Sequence, residues 1–137
     1  MTDTAKNLPQ ILNPADMPDP RPLGYSVAAI APAGSIAFIS GQAGVDAQGQ
    51  FPPDFMAQLQ LAYANLLAVL KACGAGPEHV VKLGVYVVDH EPSKLPLLTQ
   101  AVTEVFGTRL PAQTLVPVPC LAIPPMLVEV EAVVAMP

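Results

Sequence analysis

The chain has 137 residues, enough for one domain, and a chain of this size buries roughly two thirds of its unfolded surface, so its core needs no covalent staples. Six basic residues face eleven acidic ones, a net charge of −5. With only Arg21, Arg109 and four lysines, the chain lacks the cations that nucleic-acid binders use to neutralise phosphates.

Residues 1–24 carry Pro9, Pro14, Pro18, Pro20 and Pro22 and read as an extended arm rather than a helix. The first ten residues hold no apolar run of the signal-peptide kind, which implies a cytoplasmic protein. A single domain is expected over 25–137. Tyr25 to Ala31 is β-prone, Pro32-Ala33-Gly34-Ser35 is a turn, and Ile36 to Ser40 is a second short strand, so the pair reads as a hairpin. Gly41-Gln42 is expected to end that strand, and Asp46 to Gly49 forms a further turn. Asp54 can cap a helix whose buried stripe is Phe55, Leu59, Ala62, Leu66, Val69 and Cys73, with Gly74 as its stop.

Val80 to Val88 is β-branched, with Val81, Leu83, Val85 and Val87 on one face and Lys82, Gly84 and Tyr86 on the other. Pro92 can open a second helix reaching to about Phe106. Gln113 to Val118 and Leu127 to Ala135 complete the order β-β-α-β-α-β-β, an α+β sheet with both helices on one face. No charge occurs from Leu110 to Val128, a length that raises a membrane span. Pro111, Pro117, Pro119, Pro124 and Pro125 break any such helix, and extended segments fit better. Only 12% of residues are charged against 52% hydrophobic, which predicts apolar surface buried between subunits.

Chemistry-bearing motifs are sparse. Neither a Gly-rich phosphate loop nor a nucleophile elbow is present. Cys73 and Cys120 match no metal or redox spacing and read as buried thiols of a reducing compartment. His79 and His90 lie at turns without Cys or His partners and read as ordinary surface residues. No metal or cofactor is expected. In the last strand Glu129 and Glu131 share one face, with Cα atoms about 7 Å apart. One of them can line a pocket and orient a water; a solvated strand face is the alternative. Two polar islands in apolar settings are Gly24-Tyr25-Ser26 and Ser40-Gly41-Gln42.

Taken in order, these segments are familiar: a proline arm with Gly-Tyr-Ser, then Phe-Ile-Ser-Gly-Gln, a helix ending Ala-Cys-Gly-Ala-Gly, Val-Val-Lys-Leu-Gly-Val-Tyr-Val-Val-Asp, Leu-Pro-Ala-Gln-Thr and Val-Glu-Val-Glu-Ala-Val. The series resembles the Rid (reactive intermediate deaminase) family, also called the YjgF family, over about Asn13 to Val134. The resemblance implies a chorismate-mutase-like fold. It implies a homotrimer with three small-molecule clefts, each lined by two subunits, and cofactor-free hydrolysis of imines or enamines to ammonia and a keto acid. It assigns Tyr25 as a cleft wall, Ser40 as a polar contact and Glu129 as the residue positioning the attacking water, with no catalytic role for Glu131.

The departures define the question. Active members have Pro-Ala-Arg, the arginine clamping the substrate carboxylate; here the segment is Pro111-Ala112-Gln113. The cysteine two positions later is Leu115, and an asparagine of the second helix corresponds to Gln100. A guanidinium matches a carboxylate bidentately, and hydrogen bonds to charged groups contribute roughly 1.5–3 kcal/mol. Glutamine at 113 should weaken a carboxylate ligand by about a power of ten or more and suit a neutral amide or hydroxyl better. Arg109, just ahead of the Pro-Ala turn, is the nearest replacement cation in sequence. Two readings follow: a Rid-type hydrolase with a changed substrate, or a trimer that binds a metabolite without turnover. The acidic composition argues against the ribonuclease label also attached to the family.

Overall fold

The computed structural model describes residues 8–137. Most of the N-terminal stretch expected to lack a signal core, residues 1–7, lies outside the described residues. Six strands and two helices follow: β1 (Gln10–Leu12), β2 (Ala28–Ile30), β3 (Ile36–Ala43), α1 (Phe55–Cys73), β4 (Val80–Val88), α2 (Leu95–Phe106), β5 (Ala112–Val118) and β6 (Val128–Ala135). From β2 onward the order is the expected one.

The main sheet runs β3-β6-β4-β5. β6 is antiparallel to both neighbours, while β4 and β5 are parallel, joined through α2. Both helices pack on one face. From α1 come Leu59, Ala62, Tyr63, Leu66 and Leu70; from α2 come Leu98, Ala101, Val102 and Phe106. They meet the alternating valines of β6 and Leu83, Val85 and Val87 of β4, all buried. Asp54 accepts the Ala57 N–H at 3.0 Å, and Gly74, at φ +83°, closes α1 by donating to Leu70 and Lys71. The second helix starts later than expected, because Pro92–Lys94 form a 3-10 turn before α2.

Several expectations are corrected. β2 and β3 form no hairpin: β2 pairs with β1, inside the arm, and β3 pairs with β6. The arm therefore contains a strand, which supplies the backbone partners that β2 would otherwise have sought in β3. β3 does not stop at Gly41-Gln42, since Gln42 and Ala43 pair with Val130 and Glu129. A slip in β4 between Val80 and Lys82 turns Val80 inward, where Val81 was expected. The buried stripe of α1 is rotated so that Leu70 is covered and Cys73 is exposed; Cys120 is exposed as well. His79 is buried, and its Nδ1 accepts the Gly76 N–H at 3.0 Å, closing its own turn.

Two side-chain amides, Gln58 buried and Asn65 half-buried, secure the loops. Gln58 on α1 donates to the carbonyls of Pro52 and Pro125, each at 2.8 Å, and accepts the Leu127 N–H at 2.9 Å. This fixes the proline-rich approach to β6. Asn65 donates to Ala43 and Val45 carbonyls and fixes the exit of β3.

Candidate functional site

The arm reaches the sheet edge through a series of hydrogen bonds. Arg109 donates through Nη1 to the Pro9 carbonyl at 2.7 Å, and Thr99 donates to the Leu23 carbonyl at 2.8 Å. Asn13 accepts the Val27 N–H and donates to Ser26 Oγ. The Ser26 N–H bonds Pro111, so the arm runs parallel to the start of β5. Gly24 makes the close approach possible: it sits at φ +94°, and a Cβ there would lie 2.6 Å from Val102 of α2. The chain thus delivers Leu23 and Tyr25 beside the edge strand. Arg109 is engaged in holding this arm.

Between arm, β5 and α2 lies a recess of about 370 Å³. Tyr25, Gln113 and Leu115 meet there, so the structure brings these expected residues together. Leu23, Leu95 and Leu98 supply most of the remaining wall, and no charged side chain lines it. Gln113 and Leu115 face the helices because they pair with Leu83 and Val85, whose side chains are in the core. The Gln113 Oε1 is closed off from solvent and has no hydrogen-bond partner. A buried amide oxygen in that state costs about 1–3 kcal/mol. Gln100 lies outside the recess, lining an adjoining groove and donating to Glu104 at 3.0 Å.

Ser40 and Glu129 lie elsewhere, on the face of the sheet that carries no helix. In β3, Ser40 and Gly41 together oppose the single Glu131 of β6, a β-bulge read from the slip between Ile39 and Gln42. The bulge seats Glu129: a Cβ at Gly41 would overlap the Glu129 carboxylate, so only glycine leaves room for it. Glu131 has a partner the sequence reading missed. Tyr86 donates to it at 2.7 Å, and this hydrogen bond holds the Tyr86 phenol above its ordinary range. Gly84 leaves room for the pair, since a Cβ there would lie 2.8 Å from Glu131 Oε1. Alternation alone placed both glutamates on this face; the diagonal reach to Tyr86 depends on a register that sequence does not print. Lys82 donates to Thr114 on the same face. Among the described residues no cluster of His, Cys, Asp or Glu is suited to a metal ion.

The two groups cannot serve one ligand within a single chain. Gln113 and Glu129 lie on opposite faces, two strands apart and displaced along them by three residues, because Gln113 pairs through Leu83 to Ala132. Strand spacing and rise put their Cα atoms on the order of 14 Å apart.

The open face also exposes apolar side chains, with Phe38 80% exposed and Ile36 half exposed. No helix of the described residues is long and apolar enough to cross a membrane.

The endoribonuclease L-PSP family model matches residues 18–136. A comparison with curated proteins yields no match. Among solved structures, YyfB of Yersinia pestis, described as a protein of unknown function of the conserved Rid family, is 34% identical. That match covers 93% of this chain and 98% of YyfB, with a TM-score of 0.89. RidA from an Antarctic Psychrobacter is 25% identical, with 95% and 98% covered and a TM-score of 0.69. Two helices on one face of this mixed sheet make the expected chorismate-mutase-like α+β architecture. The chain belongs to the endoribonuclease L-PSP family, the Rid or YjgF family, as a member with glutamine where the carboxylate-clamping arginine was expected.

Proposed function

We propose that the protein is a small-molecule hydrolase of the Rid type, cleaving an imine or enamine in clefts between the subunits of a homotrimer. The observation that carries this reading is the separation of the candidate residues into two half-sites. One copy offers the Tyr25–Gln113–Leu115 recess; a neighbouring copy offers Ser40 and Glu129 from the bulged face. The exposed Phe38 supports the association, since burying such a side chain contributes about 1.5–3 kcal/mol.

In the chemistry, water adds to the carbon of the C=N bond and ammonia leaves, giving a carbonyl compound. Glu129 accepts a hydrogen bond from the water and orients it. Ser40 makes a polar contact, and Tyr25 walls the ligand so that the carbon stays within reach. Gln113 replaces the carboxylate clamp with a neutral amide, which changes the substrate. No metal or cofactor takes part, and no nucleic acid is a partner: a net charge of −5 disfavours RNA.

Gln113 and Leu115 also favour a second reading, a trimer that binds a metabolite without turnover. Ammonia release from 2-aminoacrylate generated in situ separates the two, measured for the native protein and for Gln113→Arg. Release by either protein supports a working cleft. Release by the variant alone identifies a changed substrate. Background rates from both would remove deamination of such substrates and leave the binding reading.

A further inference from the structure

We infer that the recess is built for an uncharged carboxamide bearing a short branched aliphatic tail, in place of a small carboxylate. The inference rests on reading this recess as the ligand cleft. The first observation is the Gln113 amide, whose Oε1 is buried without a partner. The terminal torsion of a glutamine is broad and turns readily. Rotation carries the amide into the recess, where a ligand amide can both donate to its oxygen and accept from its nitrogen. A carboxylate can only accept, so it leaves the Gln113 oxygen orphaned and finds no cation to balance its own charge.

Within one copy the nearby cations are engaged elsewhere, Arg21 with Asp19 at 2.8 Å among them. No charged residue lines the recess. Arg109 is spent on the Pro9 carbonyl, and Lys82 bonds Thr114 on the other face of the sheet. Lys94 donates to the carbonyls of Val88 and Asp89.

The second observation concerns the tail. Leu23 and Leu95 line both the recess and an adjoining groove of about 430 Å³ that continues over Pro22 and Pro96. A ligand anchored at Gln113 therefore extends along a leucine and proline floor. Each methylene buried there strengthens binding about fourfold. A ligand with only a methyl side chain leaves this surface wet.

Isothermal titration with four probes tests the inference: 4-methyl-2-oxopentanamide, 4-methyl-2-oxopentanoate, pyruvamide and pyruvate. The native protein should bind the branched amide at least about tenfold more tightly than the branched acid, and at least about tenfold more tightly than pyruvamide. In Gln113→Arg the amide and acid should exchange order. Leu23→Ser, on the exposed arm, should erode the preference for the branched tail and leave the amide-to-acid ratio unchanged. Circular dichroism confirms that each variant is folded. Equal or tighter binding of the acid by the native protein overturns the inference, as does failure to bind any of the four. An amide preference with no ammonia release from 2-aminoacrylate, by the native protein or by Gln113→Arg, leaves this inference standing and removes deamination of such substrates. Ammonia release together with acid preference does the reverse.

Discussion

At the level of single residues, one glycine and one phenol–carboxylate pair shape the helix-free face of the sheet. Gly41 leaves the space that the Glu129 carboxylate occupies. Gly41→Ala should displace that carboxylate by roughly an ångström and lower ammonia release by up to about a hundredfold. Its denaturation midpoint should stay near that of the native protein, because the colliding atoms end a flexible side chain. Unchanged turnover in a steady-state assay would separate Glu129 from the chemistry. Tyr86 and Glu131 give a pH signature. Their hydrogen bond raises the phenol's pKa, so its contribution to stability is present in full below the unfolded value of about 10 and lost as pH rises above it. Urea titrations of native and Tyr86→Phe proteins should therefore differ by a constant amount below pH 10 and converge above it. A difference that persists unchanged into stronger base would count against the pair.

At the level of elements, the helix that supports the sheet is secured by its cap and by one buried amide. Asp54→Ala should cost about 1 kcal/mol of stability, measured from denaturant midpoints at constant slope. Gln58→Met keeps the volume but leaves the Leu127 N–H and two proline carbonyls without partners, and should cost about 3 kcal/mol or more. A loss no greater than that of Asp54→Ala would mean the loop before β6 finds other partners.

These elements also mark what sequence can reveal. The Asp54 cap, the Gly74 stop and the alternation in β6 are local signals, and local reading located them. The rotation of α1 toward Leu70, the pairing of β2 with β1 and the bulge at Ser40-Gly41 depend on contacts distant in sequence. The hairpin expectation failed for that reason: a short β-prone segment does not name its partner. The meeting of Tyr25 with Gln113 is legible only through resemblance, since the bonds that hold the arm beside β5, from Ser26 to Pro111 and from Arg109 to Pro9, join residues distant in sequence.

At the scale of the whole molecule, the proposed reading gives a single copy only half of each cleft. Its helix-free sheet face exposes Phe38, and its two half-sites point away from each other. Phe38→Asp should place a charge in the proposed contact between copies and shift the protein toward monomer in sedimentation velocity, with loss of any ligand binding. The low charge of the composition agrees with the proposed association, although composition cannot say which face a partner covers. The shared cleft is tested most directly by the mass of the native protein in solution, measured by light scattering during gel filtration at micromolar concentration. The account predicts three times the 14.3 kDa of one chain. A species of one chain's mass, with the fold intact, would contradict it.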